Sequence, residues 1–328
     1  MMTDRELLLT LLRTALWDEP VPESLVGVPE DQWHSMYALA QAQGVHVLLF
    51  GSIQKLPPSV HVPESLATDL MAQVFAAQKN YQLHLATVQQ MTACFKGAGI
   101  HGSLLKGLAV SRMYPAPALR LCGDIDWYFP SEHDWDTASQ VMMDRGISLT
   151  LDSDADVHYT YNGIVIEHHR HWNHLYSQCR MGKLDSEEKW LFMLYSHLWR
   201  HIIGKGAGMR QVCDQAMACR YFRERIDRER FMVLVKGCRA RRWVRLIDSL
   251  LVDRLGMDAN YASFGCKGKN RDIERLMDII FDAGDLGKKN GFFQGIGPRL
   301  YIGMKYTPFS YIRRFLLLVF GRINRIKD

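Results

Sequence analysis

The sequence lacks closely paired cysteines and therefore shows no sign of a disulfide framework. Its 328 residues include seven cysteines, an odd number, and no two of them form a C-x-x-C pair. They stand at positions 94, 122, 179, 213, 219, 238 and 266. Disulfide scaffolds and zinc ribbons both need closely spaced, paired cysteines, so neither class of protein fits. The pattern indicates a protein of the reducing cytoplasm.

The sequence also lacks a long apolar run, a recognisable leader and an excess of one charge. No stretch approaches the roughly 18 uninterrupted apolar residues that a transmembrane helix needs. The first twenty residues, MMTDRELLLTLLRTALWDEP, carry acidic residues ahead of a short apolar helix, unlike the basic start of a signal peptide. The formal net charge is +5. This value suits an anionic partner such as a nucleotide, but it is too small for a dedicated nucleic-acid binder.

Helical patterns occupy both ends of the sequence, and β-type patterns are confined to the middle. Apolar residues recur at helical spacing in three N-terminal segments, residues 4–17, 33–50 and 67–95. Helical patterns return from Asp185 onward, and Ser186 is a candidate N-cap for the first of these helices. In between, the runs IHGSLLKG, CGDIDWYF and GIVIEHH predict strands, and Asn162-Gly163 predicts a hairpin turn. Residues 285–308, rich in glycine and lysine, predict a loop. We therefore expect an α+β fold, a small mixed sheet flanked by N-terminal and C-terminal helical regions.

Two aspartates, Asp124 and Asp126, stand inside the apolar run LCGDIDWYFP. Side chains two residues apart in a strand lie on one face, so both carboxylates are expected together, with Ile125 and Trp127 on the other face. Ionised carboxylates buried without a partner are costly, and two held this closely repel each other. Mg²⁺ relieves both problems, because it takes oxygen ligands and often completes its coordination with substrate phosphate. The pattern therefore predicts a divalent metal site.

Two further segments indicate phosphate chemistry. Glu167 interrupts the apolar strand pattern IVIEHH and is a candidate third carboxylate, which sites with two metal ions need. Lys106 and Gly107 end the first predicted strand and lead into a short helical pattern. Backbone N–H groups and the helix dipole at such a junction attract phosphate.

Three segments together match the pattern of a known family. In LLKGLAVSRMYPAPALRLCGDIDWYF, an L-K-G turn precedes a tyrosine-proline pair, an arginine and a G-D-I-D strand, and GIVIEHH follows. Farther on, SHLWRHIIGKGAGMRQVCDQA carries a pair of histidines and an R-x-x-x-D motif. These segments resemble the uncharacterised nucleotidyltransferase family of the polymerase-β superfamily. The resemblance covers roughly residues 85–220.

This resemblance implies a chemistry for the acidic residues. Asp124 and Asp126 would bind two Mg²⁺ ions, and Glu167 would be the third carboxylate, which in this superfamily activates the attacking hydroxyl. The substrate would be a nucleoside triphosphate. Its nucleoside monophosphate would pass to an unidentified acceptor, which could be a small molecule, a protein or an RNA end.

The same resemblance assigns the nucleotide contacts to basic residues. The turn at Lys106 and Gly107 would replace the glycine-serine turn of most superfamily members. Arg120 matches the family arginine, and it would contact phosphate or brace the carboxylates; an ion pair with Asp124 is the structural alternative. Arg210 would line the nucleotide cleft or form a helix ion pair with Asp214.

The resemblance also suggests how the chain is divided. We expect an N-terminal helical region in residues 1–85, a nucleotidyltransferase core in residues 86–180 and a C-terminal helical domain in residues 181–328. Two other functions stay open. A metal-dependent glycosyltransferase also uses a D-x-D motif, but it would need a Rossmann-like half where residues 1–95 look helical. A non-catalytic nucleotide-binding module is the second alternative.

Several other motifs have simpler interpretations. The histidines around the third carboxylate show no ligand spacing with cysteines and are interpreted as packed or solvated, with a substrate or acid–base role for one of them left open; they are His168, His169, His171 and His174. His197 and His201 are four apart but lack the intervening glutamate of a zinc motif. The aspartates of DSDADV, at 152, 154 and 156, predict a solvated loop. The basic C-terminal helix, YIRRFLLLVFGRINRIKD, could make weak contact with an anionic membrane surface.

Overall fold

The structure is a computed structural model, and it describes residues 2–151, 156–172, 182–204, 206–266, 268–285 and 296–313. The chain forms two compact units. The sheet unit comprises Thr14–Tyr37 and Val45–Trp172. The helical unit comprises Met1–Arg13, Ala38–Gly44 and Asn173–Asp328. The expected division at residues 85 and 180 stays a prediction.

The sheet unit contains a mixed, five-stranded sheet. Its strands are β1 (Ser103–Leu104), β2 (Asp124–Tyr128), β3 (Thr150–Leu151), β4 (Val157–Tyr161) and β5 (Ile164–His169). Their order across the sheet is β1-β2-β5-β4-β3. Strands β2 and β5 are parallel, and the other neighbouring pairs are antiparallel. The expected α+β fold is confirmed.

The predicted hairpin turn joins β4 to β5. Asn162 and Gly163 have φ angles of 52° and 76°, the left-handed values that a type I′ turn requires. Tyr161 pairs with Ile164 directly across this turn. Because the turn fixes the register, β5 presents a defined set of side chains to each face of the sheet.

One face of the sheet packs against helices and forms the core of the unit. The helices that line this core are α4 (Glu64–Gly97) and α6 (Glu132–Met143), while the short helices α3 (Phe50–Ile53) and α5 (Leu108–Ser111) contact α4. Ile125, Trp127 and Ile166 from the sheet are buried with Phe95 of α4 and Trp135 of α6. Alternation along the strands therefore turns the residues between them toward the opposite face.

The helical unit is built from long amphipathic helices. Two helices, α1 (Asp4–Trp17) and α2 (Glu30–Ala42), contribute residues to both units. The others are α7 (Glu187–Ile203), α8 (Met209–Phe222), α9 (Arg228–Gly237), α10 (Arg241–Leu255), α11 (Asn270–Ala283) and α12 (Ile296–Tyr306). Ser186 caps α7 as predicted, because its hydroxyl accepts a hydrogen bond from the Lys189 N–H at 3.4 Å.

The prediction of a loop over residues 285–308 is wrong where the structure describes this segment. Helix α12 forms there because Ile302 and Tyr306, four residues apart, bury one face of it. Gly303 permits close packing, since a Cβ at this position would overlap the Tyr311 ring. Trp199 of α7 also donates a hydrogen bond to Thr307 at 2.6 Å. The glycines that suggested a loop therefore serve helix packing.

No described helix combines the length and the apolar character that crossing a bilayer would require. The larger part of the predicted C-terminal basic helix, residues 314–328, lies outside the described residues.

Candidate active site

The acidic residues predicted from the sequence lie on two adjacent parallel strands. In the register of β2 and β5, Asp126 is opposite Glu167 and Asp124 is opposite Val165. Neighbouring strands lie about 4.8 Å apart, so carboxylates at opposed positions on one face are close together. Because Ile125 and Ile166 point into the core, Asp124, Asp126 and Glu167 share the other face. We refer to these three side chains as the carboxylate cluster.

Lys106 brings a positive charge to these carboxylates. Its Nζ lies 2.8 Å from Asp126 Oδ1, and its side chain is only 18% exposed. Asp126 is almost completely buried, at 1% exposure. Burial opposes the charge of Lys106, but the charges of Asp126, Asp124 and Glu167 outweigh it and raise the lysine pKa. All three carboxylates therefore act on the same ammonium group.

Gly107 makes the turn that positions Lys106. It has φ 54° and ψ −112°, a backbone conformation in which L side chains are strained. A Cβ at this position would also lie 3.1 Å from the backbone oxygen of Asp124. The preceding Leu105 N–H donates to the Asp126 carbonyl at 3.0 Å, which ties the turn to β2. The L-K-G pattern thus reflects a close approach of this turn to the aspartate strand.

His169 joins the same cluster. Its Nε2 lies 2.7 Å from Asp126 Oδ1 and 3.2 Å from Glu167 Oε2, and its Nδ1 lies 3.1 Å from Asp156 Oδ2. Burial would lower the pKa of this imidazole, but the hydrogen bonds from Asp126, Asp156 and Glu167 outweigh burial and raise the pKa to about 10. For Asp126, burial is likewise outweighed by Lys106 and His169, which hold its pKa well below the usual range.

The cluster has the donor set of a divalent metal site. Ligand atoms of Asp126, Glu167 and His169 lie within 4.8 Å of one another. The second oxygen of Asp126, Oδ2, is buried and has no hydrogen-bond partner among the described residues. A buried, unsatisfied carboxylate oxygen is costly. A divalent cation at this oxygen would satisfy it, so the residues present fit such an ion.

His169 is buried, but its contacts with the carboxylates favour a role at the site over mere packing, and Asp156 lies in a loop, as predicted, while contacting His169. Both contact the carboxylate cluster directly or through one hydrogen bond. Residues 152 and 154 lie outside the described residues. The overlooked signal was alternation: His169 follows Glu167 by two residues on a strand, the same spacing that relates Asp124 to Asp126.

The neighbouring His168 lies on the opposite face, as a packed histidine should. It contacts Tyr159 Oη through Nε2 at 2.8 Å. Burial, aided by the charge of His169, lowers the pKa of His168 to about 3. His174 lies outside the described residues.

The remaining predicted nucleotide-binding residues have partners of their own. Arg120 is buried and donates from Nη1 to the Leu121 carbonyl at 3.0 Å. Arg210, in the helical unit, forms an ion pair with Asp285, with 3.1 Å between Nη2 and Oδ1. The assignment of both arginines to nucleotide binding stays a prediction.

His197 and His201 are neighbours on α7, with 2.9 Å between their Nε2 atoms. Among the described residues, the side chains that form a group able to hold a metal ion are Asp126, Glu167 and His169. The structure thus offers the histidine pair no support as a zinc site.

Comparison with known proteins identifies the family. A search of curated proteins and a search of solved structures each gave no match. The model of a family described as "uncharacterised nucleotidyltransferase" matches residues 29–256, which include the whole carboxylate cluster. This match spans more than half of the chain, and it agrees with the resemblance carried by the L-K-G, G-D-I-D and E-H-H segments. The chain belongs to the uncharacterised nucleotidyltransferase family.

Proposed function

We propose that the protein transfers a nucleoside monophosphate from a nucleoside triphosphate to an acceptor hydroxyl in a Mg²⁺-dependent reaction. The observation that carries this proposal is the carboxylate cluster on β2 and β5, where a buried oxygen of Asp126 has no hydrogen-bond partner among the described residues. Nucleotidyl transfer is the chemistry of the family, and it needs divalent cations held by carboxylates beside a triphosphate.

In this proposal Asp124 and Asp126 hold two Mg²⁺ ions, and Glu167 completes the carboxylate set. When bound, the ions polarise the α-phosphate and stabilise negative charge on the pyrophosphate leaving group. Glu167 accepts the proton of the acceptor hydroxyl at its carboxylate oxygen. The hydroxyl oxygen forms a bond to the α-phosphorus as the bond from that phosphorus to the pyrophosphate oxygen breaks.

Basic residues would bind the triphosphate. The contact of Lys106 Nζ with Asp126 places an ammonium group against the cluster, where it can exchange a carboxylate oxygen for a phosphate oxygen. The turn at Gly107 keeps this lysine close to β2. Arg120 and Arg210 are proposed as further phosphate contacts, either direct or through the residues that they brace.

The acceptor is a small molecule, a protein or an RNA end, and we propose that the reaction takes place in the cytoplasm. Weak contact of the basic C-terminal segment with an anionic membrane would bring the enzyme to such a surface without inserting it.

The test is transfer of label from nucleoside triphosphates carrying ³²P at the α-position. The purified chain is incubated with Mg²⁺, each of the four triphosphates including ATP, and fractionated cell extract. We expect a labelled product with the wild-type chain and a loss of about a thousandfold or more in Asp124→Asn combined with Asp126→Asn, equivalent to several kcal/mol of barrier.

Asp136→Asn is the matched control. It makes the same chemical change on the same unit at a side chain that is 63% exposed, and it should leave the rate unchanged. Triphosphate binding without any labelled product would favour the non-catalytic module. Protection by UDP-sugars in place of triphosphates would favour a glycosyltransferase.

A further inference from the structure

We propose that His169 is a nitrogen ligand of the metal ion, held in place by Asp156, and that the site therefore binds Mn²⁺ in preference to Mg²⁺. This inference rests on the proposed function for the presence of a divalent ion, and it adds a ligand and a metal preference that a set of carboxylates alone would not give.

The geometry around His169 is that of a metal ligand. Its Nε2 lies 2.7 Å from Asp126 Oδ1 and 3.2 Å from Glu167 Oε2. Two ligands bound at about 2.1 Å and at right angles are about 3 Å apart, so both distances from Nε2 are those expected between neighbouring ligands of one octahedral ion. The lone pair of Nε2 forms the bond, and the proton that Nε2 shares with Asp126 leaves to solvent.

Asp156 fixes the orientation and tautomer of the imidazole. Its Oδ2 lies 3.1 Å from His169 Nδ1, and the Asp156 side chain is 24% exposed. A carboxylate that accepts the Nδ1 proton keeps the proton on that nitrogen, which leaves Nε2 as the ligand atom. Carboxylate–histidine–metal arrangements of this kind are the usual way in which proteins orient a ligating imidazole. Asp156 is therefore a positioning residue.

A nitrogen ligand changes the preferred metal. Mg²⁺ is a hard cation that favours oxygen ligands and retains its water, whereas the divalent first-row metals, a series that begins with Mn²⁺, accept nitrogen ligands more readily. Mn²⁺ accepts carboxylates and imidazole together and has the charge that phosphate binding needs. Two carboxylates and one imidazole on the same sheet face therefore favour Mn²⁺ over Mg²⁺.

The experiment is pulsed electron paramagnetic resonance on the full chain with Mn²⁺ alone, since this method detects a directly coordinated ¹⁴N nucleus. We expect ¹⁴N modulation in the wild type and its loss in His169→Gln, which should still bind Mn²⁺ through the carboxylates. Asp156→Asn should retain the modulation but weaken Mn²⁺ binding by about tenfold. In direct titrations, Mn²⁺ should bind the wild type at least about tenfold more tightly than Mg²⁺, and His169→Gln should reduce that ratio.

His158→Gln is the matched control, because His158 is the register partner of Glu167 on the adjacent strand β4. Loss of the ¹⁴N signal in this variant, with the signal retained in His169→Gln, would overturn the assignment. Bound Mn²⁺ without ¹⁴N modulation in the wild type would also overturn it, while leaving nucleotidyl transfer intact. No Mn²⁺ binding by a folded wild-type chain would instead overturn the metal dependence of the proposed function. Circular dichroism verifies the fold of each variant.

Discussion

At the scale of single residues, the carboxylate cluster depends on Lys106 for part of its charge balance. The lysine contacts Asp126, whose side chain is almost fully buried. Removing one partner of such a pair leaves an uncompensated charge in a poorly hydrated environment. Lys106 therefore contributes to stability as well as to the proposed binding of phosphate.

We expect Lys106→Met to lower the free energy of unfolding by about 2–3 kcal/mol, because the substitution keeps the side-chain volume and removes the charge. Urea denaturation measures the change. Lys55→Met is the control, since Lys55 is 43% exposed and pairs with the exposed Asp18. It should cost about 0–1 kcal/mol. Equal losses in the two variants would show that the contact with Asp126 is energetically unimportant.

Gly107 is the second residue for which the structure predicts the effect of a substitution. Gly107→Ala places a side chain at a backbone conformation that L residues avoid and brings its Cβ 3.1 Å from the Asp124 carbonyl. Strain of this kind costs about 1–3 kcal/mol, and relief of the strain would displace Lys106. We expect a lower melting temperature together with reduced nucleotidyl transfer. Gly97→Ala at the end of α4, where no atom lies within 4 Å of the new Cβ, should have little effect on either measurement. A Gly107→Ala chain as stable and active as wild type would contradict this role of the turn.

At the scale of elements, the strands could be predicted from the sequence more fully than the last helices. Strand β2 and the turn at Asn162-Gly163 follow from local chemistry: an alternating pattern and a dipeptide suited to positive φ. The parallel pairing of β2 with β5 could not be predicted from either strand alone, because it depends on contacts between segments far apart in the chain. The family resemblance supplied that link for Glu167. Alternation along β5 places His169 on the face of Glu167, but residue type and spacing alone do not show that the ring contacts the carboxylates, and the contact of Asp156 with this ring depends on the fold of the sheet.

Helix α12 could not be predicted from the sequence, since its glycines suggested a loop. We expect Gly303→Ala to destabilise the protein by about 1–3 kcal/mol, because the new Cβ overlaps the Tyr311 ring and a packed interior accommodates extra volume poorly. Gly297→Ala, in the same helix with no atom within 4 Å of the new Cβ, should be neutral or stabilise by up to about 1 kcal/mol. Chemical denaturation of both variants measures the difference. The same sign for both changes would be inconsistent with this packing.

At the scale of the whole molecule, folding stability should depend on pH through a residue far from the carboxylate cluster in sequence. Asp248 is fully buried in the helical unit, where Tyr195 Oη donates to its Oδ1 at 2.5 Å and the Phe264 N–H donates to its Oδ2 at 2.8 Å. Burial raises the pKa of this carboxyl from 3.8 to about 7 despite these hydrogen bonds. The folded chain therefore retains a proton that the unfolded chain releases between these two values.

The sign follows from this difference. As the pH rises from about 4 to 7, Asp248 ionises in the unfolded state but stays protonated in the folded state. The free energy of unfolding therefore falls by about 4 kcal/mol over this range and then levels off. Asp248→Asn removes this dependence. We expect the stability of Asp248→Asn minus that of wild type to increase over this range in urea denaturation at a series of pH values. A difference that stays flat from pH 4 to 8 would show that Asp248 ionises as freely in the folded chain as in the unfolded one.

The two imidazoles at the end of β5 show what the alternation of a strand can achieve. His168 and His169 are joined by one peptide bond, yet their pKa values are about 3 and about 10. The two rings lie on opposite faces of the sheet, so the pKa of each ring is set by the groups on its own face. A shift of β5 by one residue would exchange the positions of the two rings. The ring that packs among aromatic side chains would then lie in the ionic cluster, and the charged ring would be buried in the apolar core. Fidelity of strand register is thus itself a condition for chemistry at this site.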